Sequence, residues 1–134
     1  MEFLKVARIF DRMESTSSRL KLTDELVELF KTSKASEIRV IVYLCQGVLL
    51  PAFRGVDLGI GDKLAQQSIS IVCGKDVKEI EFLYRKKGDL GVVAQELLEK
   101  KHQHALDFSP LSVQKVYDNF YKIATSKGEG SQDL

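Results

Sequence analysis

Three short constellations in this sequence place hydroxyls, cations and glycines where a phosphate-bearing ligand would find donors. The first is Thr16, Ser17, Arg19 and Lys21, at the point where a helical pattern breaks. Hydroxyls and cations clustered at a helix end supply the hydrogen bonds and positive charge that phosphate oxygens take. The plainer reading is a helix stop with a solvated arginine. The second is Gly59-Ile60-Gly61 followed by Lys63, just ahead of another helical pattern. Glycines let a backbone come close to an anion, and a helix N-terminus offers unused N–H groups and the positive end of its dipole. The same glycines would equally serve a tight turn that needs positive φ. The third is Lys86, Lys87 and Gly88 at the next helix junction. The logic is the same, although lysines at a helix C-terminus are already favoured by the dipole.

Nothing in the sequence suits covalent or metal chemistry. Cys45 and Cys73 each sit in an apolar run without partners at metal-ligand spacing, and read as reduced, buried thiols. His102 and His104 lie two apart without acidic or cysteine companions, which argues against a metal site.

The elements that must position these residues are helical almost throughout. Phe3, Val6, Ala7, Phe10 and Met13 repeat at helical spacing, and Thr16 to Ser18 end the pattern. Thr23 is the expected N-cap of a second helix carrying Leu26, Val27, Leu29 and Phe30. Ser36 is expected to cap a third, from about Glu37 to Gln46, ended by Gly47. This third segment is apolar nearly all round. Its run Val40-Ile41-Val42 would suit a strand, but no second strand is available to pair with it, and a buried helix fits better. Pro51 to Gly61 reads as a loop. A fourth helix begins at Gly61 or Asp62 and closes at Gly74. A fifth runs from Asp76, with Val77, Ile80, Leu83 and Tyr84 on one face, and ends at Gly88. Asp89 caps a sixth, through Val93, Leu97 and Leu98. Residues 101–111 read as an irregular loop. Ser112 caps a seventh, with Val113, Val116, Tyr117, Phe120 and Ile123 on one face. Residues 126–134 form a polar, glycine-rich tail that reads as a cut in a loop. The fold class expected is therefore all-α, with about seven helices.

Composition sets outer limits. The chain has 134 residues, 44% apolar and 29% charged, which suits one globular domain without disulfides. No apolar run approaches the roughly 20 residues that span a bilayer. The N-terminus Met-Glu-Phe-Leu-Lys lacks the pattern of a signal peptide, so a cytoplasmic protein is expected. The net charge of +1 does not by itself point to nucleic acid. The local distribution is less even: Arg8, Arg12, Arg19 and Lys21 cluster near the start, and Arg85, Lys86, Lys87, Lys100 and Lys101 flank one helical segment. Acids are read as gathering elsewhere, at Asp24, Glu25 and Glu28 and at Glu79 and Glu81.

Five strings then occur together: Ser15-Thr-Ser-Ser-Arg-Leu20, Leu49-Leu-Pro51, Asp57-Leu-Gly-Ile-Gly61, Lys87-Gly-Asp-Leu-Gly91 and Gly128-Glu-Gly-Ser131. In this order and at these separations they resemble the N-terminal DNA-binding domain of ATP-dependent DNA ligases of the archaeal and eukaryotic type. The resemblance covers nearly the whole chain. It implies an all-helical domain of two similar lobes that grips nicked duplex DNA across the minor groove without sequence specificity. Residues 1–134 would be the first lobe, with the second lobe following. The DNA-binding residues it suggests are Thr16, Ser17, Arg19, Lys21, Gly59, Gly61, Lys63, Lys86, Lys87 and Gly88. The parent enzyme would use ATP and Mg2+ to seal nicks in replication and repair, in a prokaryotic, nucleoid-associated setting. Such ligases attach AMP to lysine in Lys-x-Asp-Gly. The nearest string, Lys87-Gly-Asp-Leu90, has leucine in place of the glycine and no suitably placed arginine, so the fragment alone is expected to lack a nucleotide site and activity. Gln103-His-Ala-Leu-Asp-Phe108 resembles the short box by which replication proteins bind the sliding clamp, with Gln103, Leu106 and Phe108 as the contacts. Only one aromatic follows, and its register is off. These residues would otherwise tuck into the core. A reading from a different class is a non-enzymatic helical module that binds a protein partner through an exposed groove.

Overall fold

In the computed structural model, residues 1–51, 58–101 and 110–126 are described. They form seven helices: α1 Phe3–Glu14, α2 Arg19–Thr32, α3 Ala35–Cys45, α4 Asp62–Cys73, α5 Val77–Lys87, α6 Leu90–Lys101 and α7 Val113–Thr125. No strand occurs among the described residues; the run Val40-Ile41-Val42 lies inside α3. The all-α expectation therefore holds. The helices divide into two compact units, Met1–Leu58 with Ser109–Leu134, and Gly59–Phe108.

The first unit is built from α1, α2, α3 and α7. Its buried core is Val6, Ile9, Leu29, Val40, Ile41, Leu49, Val113 and Tyr117. α1 packs on α2 and α7, and α3 packs on α7. The apolar spacing of α7 explains its place: Val113, Val116 and Tyr117 are buried and Phe120 packs behind them. Its start is fastened to the chain's beginning by a single antiparallel bridge between Glu2 and Ser112. There the Phe3 amide donates to the Leu111 carbonyl at 2.7 Å and the Val113 amide to the Met1 carbonyl at 2.9 Å. The Tyr117 hydroxyl donates to the Leu49 carbonyl at 2.5 Å inside the core. Burial pushes the Tyr117 phenol above its ordinary pKa, as expected when the charged form is desolvated.

The second unit is the three-helix group α4, α5 and α6. Ile80, Val93 and Leu97 are buried, with Ile69, Cys73, Leu83 and Leu90 packed around them. Its corners are set by short-range signals. Gly74 (φ 66°) and Gly88 (φ 76°) close α4 and α5 in the left-handed region, where a side chain is disfavoured. The Asp76 carboxylate accepts from the Lys78 amide at 2.9 Å, and that of Asp89 from the Val92 amide at 3.1 Å.

Several expectations need correction. Thr23 is not a cap. α2 begins at Arg19 with Ser18 as N-cap, and Thr23 lies within the helix, its hydroxyl donating to the Arg19 carbonyl at 2.8 Å. Starting at Arg19 puts Leu22, Leu26 and Leu29 on one inward stripe, which outweighs the appeal of Thr23 before two acids. α3 starts at Ala35 after Lys34, so Ser36 falls in its first turn. That helix is only partly enclosed: Val40 and Ile41 are buried, Arg39 is exposed and Val42 to Cys45 are half-buried. Cys45 and Cys73 are free and half-buried rather than buried. Desolvation still raises the Cys45 thiol pKa, so it stays a thiol near neutral pH.

Tyr117→Phe is expected to lower the unfolding free energy by about 1–2 kcal/mol, because the Leu49 carbonyl stays buried and loses its donor. Urea denaturation checks this. An unchanged midpoint with unchanged slope would mean the bond contributes nothing.

Candidate functional site

The first constellation lies at the corner between α1 and α2. The Thr16 hydroxyl oxygen accepts from the Ser18 amide at 3.2 Å, and the Ser18 hydroxyl oxygen accepts from the Lys21 amide at 3.4 Å. These bonds fold residues 15–18 into a compact turn and begin α2 at Arg19. The amides of its first turn point out of the helix end, where the helix has no acceptors for them. Ser17, Arg19 and Lys21 are exposed and Thr16 is half-buried. Among the described residues no carboxylate lies within ion-pair distance of Arg19 or Lys21. An open depression of about 370 Å³ occupies the corner, lined by Arg12, Ser15, Thr16, Lys21, Asp24 and Glu25. Of the predicted residues, Thr16 and Lys21 meet in this depression, beside the helix N-terminus and together with Asp24 and Glu25, whereas Ser17 and Arg19 are not among its lining. A hydroxyl, a lysine and a helix N-terminus are groups able to hold a phosphate by charge and hydrogen bonds.

Arg12 is different in kind. Its Nε lies 3.1 and 3.0 Å from the two Glu25 carboxylate oxygens, and its Nη2 donates to Glu25 Oε2 at 2.8 Å and to Glu28 Oε2 at 3.3 Å. The hydrogen bond from Arg12, and behind it the positive charge, holds the Glu25 carboxyl below the usual carboxylate range, while partial desolvation works against that. The same bond and charges raise the Arg12 pKa. Glu25 and Glu28 therefore do not gather apart from the basic cluster, as the sequence suggested; they neutralise one member of it. A second depression, about 340 Å³, is also lined by Arg12 and includes Glu2, Lys5, Arg8 and Glu28.

The other two constellations belong to the second unit. Gly59 adopts φ 70°, a conformation that calls for glycine, whereas Gly61 is extended at φ −92° as the N-cap of α4. A Cβ at Gly61 would meet nothing within 4 Å, so its backbone is open to approach. Lys63 is exposed in the first turn. Asp62 shares that turn, and its carboxylate, which accepts from the Tyr84 hydroxyl at 3.2 Å, already occupies the positive end of the helix. That weakens the case for a phosphate there.

Lys86, Lys87 and Gly88 end α5. The Gly88 amide donates to the Tyr84 carbonyl at 2.8 Å, which makes this glycine a helix cap. Lys87 pairs with Glu96 at 3.2 Å and Arg85 with Glu81 at 2.6 Å, leaving Lys86 as the lysine of the three without a pairing carboxylate among the described residues. Gln103, Leu106 and Phe108 lie outside the described residues, as do His102 and His104. No group of three or more His, Cys, Asp or Glu side chains suited to a metal ion occurs among the described residues. No described helix is long and apolar enough to cross a membrane.

Comparison with known proteins follows the same lines. A family described as DNA ligase N terminus matches residues 2–134. A DNA ligase from Nitrosopumilus maritimus is 48% identical over 134 residues, which is 100% of this chain and 23% of that protein. A DNA ligase from Acidianus ambivalens is 43% identical over 143 residues, covering 100% of this chain and 24% of that protein. "DNA ligase 2" of Thermofilum pendens is 42% identical over 135 residues, covering 96% and 22%. The chain thus spans 22–24% of the length of these relatives.

Two outcomes are expected from this geometry. Gly88→Ala forces a side chain into positive φ and should destabilise the chain by about 1 kcal/mol, seen as a lower melting temperature. The Arg12–Glu25 pair should also shape acid stability. Glu25 has a folded pKa below its unfolded value of about 4.3, so its contribution is present above that pH and is lost as pH falls through the folded value. Melting temperatures from pH 7 to pH 3 should therefore fall less steeply in Glu25→Gln than in the wild type. Identical profiles would show that the pair is energetically silent.

Proposed function

This chain belongs to the DNA ligase N-terminus family, and from that premise we propose that it is the DNA-gripping front of a longer ATP-dependent ligase. It binds duplex DNA near a nick through phosphates, without reading base sequence. The observation that carries this is the α1–α2 corner, where Thr16, Ser17, Arg19 and Lys21 surround a helix N-terminus and both cations lack carboxylate partners among the described residues. Gly59, Gly61 and Lys63, and Lys86 with Gly88, add weaker contacts, since Asp62 and the ion pairs at α5 offset part of their charge. Lys87, held by Glu96, contributes least.

Nick sealing itself belongs to the rest of the parent polypeptide. There a Lys-x-Asp-Gly lysine would take AMP from ATP, with Mg2+ supporting the phosphoryl chemistry. This chain binds and orients DNA for that step, in a cytoplasmic setting. Gln103, Leu106 and Phe108 are proposed, on sequence alone, to tether the parent to a sliding clamp. The glutamine would hydrogen-bond and the two apolar side chains would fill a pocket, giving a weak and reversible contact.

One observation favours a second reading. α2 has an outward apolar stripe, with Leu20 74% and Val27 44% exposed. A helix apolar on both faces suits a protein-interaction module. Salt discriminates the two, because phosphate binding releases counterions and apolar docking does not.

On the DNA reading, affinity for a nicked duplex should fall steeply between 50 and 200 mM salt, as is typical of phosphate contacts. Arg19→Ala/Lys21→Ala should weaken binding alike for unrelated sequences and flatten the log–log salt slope by about one unit per lost contact. A double variant with unchanged affinity and slope would make both residues ordinary surface charges. For the tether, pull-down of the parent with its clamp should be lost in Leu106→Ala/Phe108→Ala at unchanged melting temperature. Retained capture removes the clamp role.

A further inference from the structure

We propose that Arg12 serves DNA binding as a charge mask, neutralising Glu25, with a single further contact to Glu28, beside the Thr16–Lys21 corner rather than binding phosphate itself. This rests on the DNA-binding reading of that corner. Three observations lead to it. Arg12 places Nε and Nη2 on both oxygens of Glu25, at 2.8–3.1 Å, and reaches Glu28 at 3.3 Å with the same Nη2. Glu25 is not remote from the corner: Arg12, Asp24 and Glu25 line the same depression as Thr16 and Lys21. Glu28 and Arg12 also line the adjoining depression with the exposed Lys5 and Arg8. The guanidinium therefore shares one depression with Lys21 and another with Lys5 and Arg8, and both also hold carboxylates, Asp24 and Glu25 in the first and Glu2 and Glu28 in the second.

The electrostatics follow from distance. A phosphate held by Thr16 and Lys21 would sit well inside the Debye length of about 10 Å at 0.1 M salt from the Glu25 carboxylate. A bare carboxylate there repels it. An arginine joined to that carboxylate by charge-assisted bonds at both oxygens cancels most of the repulsion. A direct phosphate contact fits less well. Arg12 would have to leave Glu25 and Glu28, breaking these bonds and uncovering two negative charges next to the incoming anion. Asp24 is the carboxylate in the same depression that Arg12 does not reach.

The experiment is fluorescence anisotropy of a labelled nicked duplex with this chain, titrated across salt concentrations. It compares the wild type with Arg12→Gln, Arg12→Gln/Glu25→Gln and Arg12→Lys. Arg12→Gln uncovers both glutamates and should bind about fivefold more weakly at 0.1 M salt, with an unchanged salt slope. Adding Glu25→Gln removes the extra negative charge and should bring affinity back to within about twofold of the wild type. Arg12→Lys keeps the charge but not the fork, and should stay within the same range; it also provides a folded reference if Arg12→Gln melts early. A double variant as weak as Arg12→Gln overturns the proposal, and a slope lower by about one unit assigns Arg12 a phosphate instead. Wild-type affinity in Arg12→Gln overturns it too. A wild-type chain that holds no DNA even at low salt overturns the DNA reading and the mask together, whereas failure of the variants alone leaves that reading standing.

Discussion

The first unit depends on one long-range closure, the return of α7 to the helices at the chain's beginning. Val113 and Tyr117 enter the core made by Val6, Ile9, Leu29, Val40 and Ile41, and the Tyr117 hydroxyl ends on the Leu49 carbonyl, 68 residues away in sequence. A polar tip can be buried there because it has an acceptor, and a carbonyl in a non-helical segment is satisfied by the same bond. The closure also fixes the chain's path. Everything from Gly59 to Phe108 is, in chain order, an insertion between two parts of the first unit. The cost of closing so long a loop grows only slowly with its length, so an inserted unit is tolerated. α1, and with it the corner that carries Arg19 and Lys21, owes its footing to α7 as well as to α2.

The two units are held by different means. The first has a broad core and non-local hydrogen bonds. Among its described residues the second buries Ile80, Val93 and Leu97, and it leans on local devices: αL glycines at Gly74 and Gly88 and aspartate caps at Asp76 and Asp89. With so little apolar area enclosed, each cap is a larger share of what keeps the helices formed. This is why Gly88 is better explained as backbone geometry than as ligand contact.

Local signals were legible in the sequence and tertiary ones were not. Gly74, Asp76, Gly88, Asp89 and Ser112 announce helix ends because a cap is decided within a few residues. The start of α2 was not legible, because Ser18 and Thr23 are both able caps and only burial along the helix, with Leu29 in the core and Leu22 and Leu26 half-buried on the same side, chooses between them. Helical periodicity also placed Val27 and Phe30 with Leu29, yet Leu29 is buried while Val27 and Phe30 are exposed. The resemblance carried by the five strings supplied the family, which no reading of charge or periodicity reached. At the candidate site, the hydroxyls and cations of the corner were visible as a cluster. The engagement of Arg12 by Glu25 and Glu28 was not. It joins residues 13 and 16 positions apart across a corner whose angle no local pattern encodes. The role of Gln103, Leu106 and Phe108 rests on sequence alone, since they lie outside the described residues.

A chain with a net charge of +1 makes a poor polyelectrolyte partner if its charges are counted, and a better one if their pairings are. Arg12, Arg85 and Lys87 are held by carboxylates on their own or adjacent helices. Among the described residues Arg19 and Lys21 are not, and both sit in the first turn of a helix, where the dipole would sooner accept acids. Cations at that end weaken the helix slightly and are explained poorly by stability. An anion arriving at the corner would relieve the conflict, meeting the helix dipole and the Lys21 charge, although the Lys21 amide is already held by the Ser18 hydroxyl. On the DNA reading, the number of counterions released, and with it the steepness of the salt dependence, follows the cations that meet phosphates at the corner rather than the total of twenty lysines and arginines. A grip of that kind holds any duplex and lets go readily, as sequence-independent binding requires.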